Sequence, residues 1–121
     1  MQNPPPHLRR GRKAEDRACA HLQHQGLVLE ARNYRSPYGE IDLIMRERDT
    51  LVFVEVRFRQ TPDFGTAAET VDARKQAKLR ATAEHYLQHT PRASKKACRF
   101  DIVAITGDGD DSLSWLRNAF E

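Results

Sequence analysis

The chain has 121 residues, enough for one domain with a continuous core and too few for a multidomain machine. Charged residues make up 31% and hydrophobic residues 39%, and the five histidines lack any metal-ligand spacing such as His-Glu-x-x-His, which argues against zinc. A net charge of +3 is too small to establish a nucleic-acid partner, but the basic residues are clustered. Arg9, Arg10, Arg12 and Lys13 lie near the start, Arg74, Lys75, Lys78 and Arg80 share one segment, and Arg92, Lys95, Lys96 and Arg99 precede the last apolar run. Each cluster reads equally well as solvated surface charge.

Residues 1–10 read as a flexible lead-in, because Pro4-Pro5-Pro6 is expected to be extended; residues 11–121 form the single domain. No apolar stretch there resembles a signal-peptide core or a membrane span, so the expected location is the cytoplasm. From Arg12 to Gln25, Ala14, Ala18 and Leu22 recur at helical spacing, and Gly26 is the expected stop. Glu15 falls beside that apolar stripe, where it either points towards a sheet or pairs at the rim with Arg12 or Lys13. The two cysteines, Cys19 and Cys98, lack a Cys-x-x-Cys element and read as reduced thiols.

Three strands are expected next, at residues 27–34, 40–46 and 51–59. The second and third are joined by Glu47-Arg48-Asp49-Thr50, a short polar link that suits a hairpin. A loop with Phe64-Gly65 follows, where a mobile flap and a simple core cap are both open readings. Asp72 then reads as the N-cap of a long helix whose inward positions are Leu79, Ala83 and Leu87. Arg99 to Thr106 is the expected last core strand, followed by the acidic turn Gly107-Asp108-Gly109-Asp110-Asp111. Trp115 and Phe120 are expected to anchor the tail against the domain or a partner subunit.

Chemistry concentrates on the hairpin. Alternation puts Glu40, Asp42 and Ile44 on one face of its first strand, and Leu51, Phe53, Glu55, Arg57 and Arg59 on one face of its second. A turn centred between Arg48 and Asp49 sets Asp42 opposite Glu55 and Glu40 opposite Arg57. Two carboxylates with Cβ atoms about 5 Å apart destabilise a sheet unless a cation joins them, so a divalent ion is expected. Oxygen-only ligation favours magnesium or manganese and points to phosphodiester chemistry. The competing reading is a metal-free network in which Arg57 neutralises Glu40 and Glu55. Lys75, Gln76 and Lys78, with Arg57 and Arg59, are the expected nucleic-acid contacts, and Glu40 is expected to orient Arg57.

The residues Gly11, Glu15, Arg32-Asn33, Gly39-Glu40-Ile41-Asp42-Leu43-Ile44, Val52-Phe53-Val54-Glu55-Val56-Arg57, Phe64-Gly65, Lys75-Gln76 and Arg99-Phe100-Asp101-Ile102-Val103 resemble the YraN-like family of bacterial proteins. The likeness spans about residues 11–106. It implies an α/β restriction-endonuclease-like fold, a mixed central sheet flanked by helices in the order α-β-β-β-α-β, similar to archaeal Holliday-junction resolvases within the PD-(D/E)-x-K superfamily. It implies a magnesium-dependent endonuclease in which Asp42 and Glu55 bind metal, the Val56 carbonyl adds a ligand, and Glu15 matches the helical glutamate. A homodimer follows only by analogy with resolvases. Position 57 departs from that pattern, because arginine stands where lysine is expected. Arginine stays protonated and cannot act as a base, although it can bind phosphate. The alternative reading is therefore a non-catalytic nucleic-acid-binding module with a degenerate nuclease site.

Overall fold

The computed structural model describes residues 6–59, 71–93, 95–107 and 113–121. The expectations for residues 1–5, for the loop with Phe64-Gly65 and for the acidic turn at 108–111 lie outside the described residues, as do the side chains of residues 6–11 and Arg59.

Helix α1 (Pro6–His24) begins ahead of the expected start at Arg12. The first N–H groups of a helix have no intrahelical partner, so Pro6 forfeits no hydrogen bond there and its fixed φ suits the first turn. Ala14, Ala18 and Leu22 are buried, as their spacing required. Gly26 ends the helix at φ 99°, donating to the Gln23 carbonyl at 3.0 Å, while Leu27 N–H donates to the Leu22 carbonyl at 3.0 Å.

β1 (Val28–Ser36), β2 (Gly39–Glu47) and β3 (Thr50–Arg59) follow as an antiparallel meander. Helix α2 (Ala73–His89) then returns the chain so that β4 (Ala97–Thr106) lies parallel to β3, and β5 (Leu113–Phe120) pairs antiparallel with β4. The sheet order is β1-β2-β3-β4-β5. Asp72 caps α2 as expected, its Oδ1 accepting from the Lys75 N–H at 2.9 Å.

One layer of the core joins α1 to Leu43, Met45, Val52, Val54, Val103 and Ile105. The other joins Leu79, Ala83 and Tyr86 of α2 to Ile44, Leu51, Phe53 and Ile102. Successive residues of β3 thus divide between the two layers, the period of two that a strand covered on both faces imposes. A five-stranded mixed sheet between two helices is the restriction-endonuclease-like arrangement that the resemblance implied.

The expected order lacked β5. Trp115 and Phe120 do anchor this segment, but as part of a strand: Trp115 packs into the α1 layer and Phe120 stacks on Phe100 with ring centroids 4.8 Å apart. The strand does not alternate cleanly because it is bulged. Its pairing shifts between Phe100 and Ile102, and Asn118 adopts φ 50°. The carboxylate of Asp101, fully buried, holds the bulge by accepting from Asn118 N–H at 2.9 Å, Trp115 Nε1 at 2.9 Å and Arg99 Nε at 3.0 Å.

Candidate functional site

The β2–β3 pairing follows the register expected of the hairpin, from Glu47 with Thr50 to Leu43 with Val54. One rung further, Asp42 and Glu55 would face each other, but the recorded backbone pairing ends before it. There the Asp42 side chain takes the place of a backbone carbonyl: Oδ2 accepts from the Val56 N–H at 2.8 Å. The same rung is irregular on β1. Asn33, between the Arg32–Leu43 and Tyr34–Ile41 pairs, has φ 52°. Ile41 accordingly joins the Ile44 cluster rather than that of Leu43, so strict alternation breaks at Asp42. The expectation of strict alternation along β2 is corrected on this point: Ile41 and Leu43, two residues apart, pack in different core layers.

Side chains from five elements, α1, β1, β2, β3 and α2, meet at this break. Glu55 is the floor, its side chain only 7% exposed, and one oxygen, Oε1, lies 3.6 Å from Arg57 Nε and 3.7 Å from Lys75 Nζ. Glu15 reaches in from α1 instead of pairing along its own helix. In the amide orientation that satisfies both carboxylates, Asn33 donates to Glu15 Oε1 at 2.7 Å and to Glu40 Oε1 at 3.0 Å. Glu40 does not sit opposite Arg57. It is the cross-strand partner of Arg35, whose Nε lies 3.2 Å from Glu40 Oε2, because Glu40 is paired through β1 and lies beyond the β2–β3 ladder.

The electrostatics follow from burying several acids together. Burial, reinforced by the charge of Asp42, pushes the Glu55 carboxyl up to about 7, against the opposing pull of Lys75 and Arg57. Burial also raises Asp42, with the Val56 hydrogen bond opposing it and Glu40 adding to it. Glu15 is raised as well, by burial first and by Asp42 second. Three acids whose ionisation is disfavoured, beside two cations, form a site short of positive charge at neutral pH.

Among the described residues, no three His, Cys, Asp or Glu side chains come together as a metal-holding group. Magnesium does not need one, since it keeps several waters and is commonly held by one or two carboxylates plus substrate phosphate. Asp42 and Glu55 are the pair whose repulsion a divalent cation would relieve, and an oxygen-only donor set suits magnesium or manganese.

The expected nucleic-acid residues are distributed unevenly. Lys75 and Arg57 are in the site, whereas Lys78 is exposed on α2 outside it. Gln76 donates from Nε2 to the Val71 carbonyl at 2.9 Å, tying down the approach to α2. Two features were missed in the sequence. The motif around Asn33 does not show its role as a bridge between Glu15 and Glu40, which needs its positive φ to be known. The approach of Lys75 to Glu55 is the other, although the N-cap at Asp72 puts this lysine in the first turn of α2.

Residues 14–105 match the uncharacterised protein family UPF0102. A UPF0102 protein of Nitrosococcus oceani is 51% identical over 118 residues, covering 97% of this chain and 95% of that protein. Another, from Shewanella amazonensis, is 54% identical over 111 residues, covering 91% of this chain and 97% of its own length. One from Pseudomonas entomophila is 51% identical, with 92% of each chain covered.

Proposed function

The chain belongs to the uncharacterised protein family UPF0102, and from that premise we propose that it is a metal-dependent endonuclease acting in the cytoplasm on DNA, with branched or flapped structures as substrates. The observation that carries this reading is the pair of carboxylates, half-buried Asp42 and buried Glu55, gathered with Glu15, Arg57 and Lys75 where the β2–β3 ladder stops. Asp42 and Glu55 would hold magnesium or manganese, with the Val56 carbonyl as a further ligand. When bound, the ion supplies a polarised phosphoryl oxygen and a more acidic water.

The chain's own groups do the rest. The Val56 N–H occupies one oxygen of Asp42, so a ligand would be met by the other. Asn33 holds Glu15 against the sheet as an outer or additional acid. Arg57, 32% exposed, rises from the floor at Glu55 and can donate to a phosphate arriving from solvent. Lys78, exposed on α2, would add a further positive charge for the DNA backbone. A homodimer would present two such sites to paired strands.

One observation favours the rival from another class, a non-catalytic nucleic-acid-binding module. Arg57 and Lys75 already stand 3.6 and 3.7 Å from Glu55 and offset part of its charge. The two readings separate in one experiment: magnesium and manganese titrations with four-way junction, flap and linear DNA, and structured RNA alongside, for wild type and Glu55→Ala. Metal-dependent nicking that Glu55→Ala abolishes supports the enzyme. Binding that ignores metal, with no substrate cut, supports the module.

A further inference from the structure

We infer that Lys75 of α2, rather than any residue of β3, is the catalytic lysine of this site, an inference that rests on the nuclease reading above. Position 57 carries arginine, whose planar guanidinium suits a phosphate fork but is a poor match for a small water molecule. A lysine ammonium is compact and has three rotatable donors, enough to hold a water and a phosphate oxygen together. The fold delivers such an ammonium from another element. Lys75 Nζ lies 3.7 Å from Glu55 Oε1, the same oxygen that Arg57 Nε approaches at 3.6 Å.

The position of Lys75 is built rather than accidental. Its backbone N–H is held by Asp72 Oδ1 at 2.9 Å, and the next residue, Gln76, is tied to the Val71 carbonyl at 2.9 Å. The start of α2 is therefore pinned on both sides of the lysine, whose side chain runs from the half-exposed helix face to the buried glutamate. The exposures of 37% for Lys75 and 32% for Arg57, against 7% for Glu55, put both cations at the mouth and the carboxylate at the floor. A phosphodiester entering this mouth meets guanidinium and ammonium together.

The roles then divide. Arg57 binds a non-bridging phosphate oxygen, while the Lys75 ammonium donates to the attacking water and aligns it with phosphorus. The water oxygen forms the new bond to phosphorus, and the bond from phosphorus to the leaving sugar oxygen breaks. The water's proton passes to solvent, and the leaving oxygen takes a proton from solvent.

The test uses the full chain, a labelled four-way DNA junction and manganese, with Lys75→Met, Lys75→Arg and the double variant Arg57→Lys/Lys75→Met. Single-turnover cleavage at saturating DNA should fall about 100-fold in Lys75→Met and in Lys75→Arg, with DNA affinity in each within about threefold of wild type. Lys75→Arg keeps the charge beside Glu55, so its loss would belong to the ammonium and not to unfolding. The double variant, with lysine restored to the strand, should regain about tenfold or more. Manganese affinity, measured by calorimetry without DNA, should be unchanged or tighter in Lys75→Met, since a cation beside the ligand carboxylate is removed. Near-wild-type cleavage by Lys75→Met overturns the inference, as does a variant that loses only DNA affinity or loses manganese binding. If the wild-type chain cuts no substrate, the nuclease reading falls and takes this inference with it; if it cuts and Lys75→Met cuts equally, this inference alone falls.

Discussion

Asp42 Oδ2 accepts the Val56 N–H at 2.8 Å, one rung beyond the last recorded backbone pair of β2 and β3. A side chain thereby completes the ladder and, in the same bond, locks one acid of the site to the strand that carries the other. The bond gives Asp42 a structural role beside the metal-binding role proposed for it, and substitutions can pull the two apart. Asp42→Asn keeps an acceptor for Val56 but removes the charge that helps raise Glu55. The Glu55 titration, followed by carboxyl-carbon NMR, should then move down from about 7, while stability changes little. Asp42→Ala leaves Val56 N–H without its acceptor and should cost about 1–3 kcal/mol in urea unfolding. An unchanged Glu55 titration in Asp42→Asn would mean that burial alone sets it.

The pH dependence of stability follows from the sign of that shift. Glu55 in the folded chain titrates near 7, above its ordinary value of 4.5, so its protonated form favours folding. Its contribution is fully present below about pH 4.5 and is lost as pH rises through 7. The loss is on the order of 3 kcal/mol. Asp42 and Glu15 shift in the same direction and add to the decline. Glu47 acts oppositely, because hydrogen bonding to Arg99 lowers it, and its stabilisation fades as pH falls through its folded value. Urea midpoints of the metal-free protein should therefore decrease between pH 5 and 8, with a shallower slope in Glu55→Gln. Magnesium should restore stability chiefly at the alkaline end. A metal effect equal at both ends would contradict binding at Glu55.

Asp101 should prove indispensable to folding and irrelevant to chemistry. Its carboxylate is fully buried and accepts from Arg99, Trp115 and the Asn118 backbone, while Arg99 also bridges to Glu47 at 2.7 Å. Asp101→Ala leaves two N–H donors without their acceptor and takes from the Arg99 guanidinium one of its two carboxylate partners, at a cost on the order of 3 kcal/mol. Trp115 is the sole tryptophan, so its fluorescence reports directly on release of β5. A variant with a native emission maximum and an unshifted urea midpoint would remove Asp101 as the lock on this strand.

Asn33 tests whether Glu15 needs its bridge. Asn33→Gly preserves the backbone at φ 52° and deletes only the amide that joins Glu15 to Glu40. Asn33→Ala deletes the amide and also strains the left-handed backbone, an additional penalty of about 1–2 kcal/mol. Thermal melts should rank wild type, then glycine, then alanine. If Glu15 contributes to cleavage through this bridge, both variants should slow single-turnover nicking by a similar factor, because both lose the same amide. Cleavage that tracks the melting order instead would assign Asn33 to the backbone alone.

Local patterns were enough for the elements that obey a simple period. The stripe of Ala14, Ala18 and Leu22, the cap at Asp72 and the stop at Gly26 each describe a helix or its end through residues a few positions apart. The β2–β3 register was legible for the same reason, since a short polar link leaves few ways to align two apolar strands. β5 was illegible because its bulge breaks alternation, and the group that stabilises the bulge, Asp101, is remote in sequence from Asn118.

The candidate site divides along the same line. The acids Asp42 and Glu55, the arginine between them and solvent, and the helical Glu15 could all be picked out from the chain, because charged residues set in apolar runs demand partners wherever they fold. Their mutual geometry could not. The ladder stops at Asp42, across from a left-handed Asn33 on the neighbouring strand, Glu40 turns to Arg35, and Lys75 arrives at Glu55 from a helix that begins well after β3 ends. Sequence alone determined which charges had to be satisfied. Only the tertiary structure decided which partner satisfied each, because that choice depends on where the two helices cross a twisted sheet and on where the β2–β3 pairing ends.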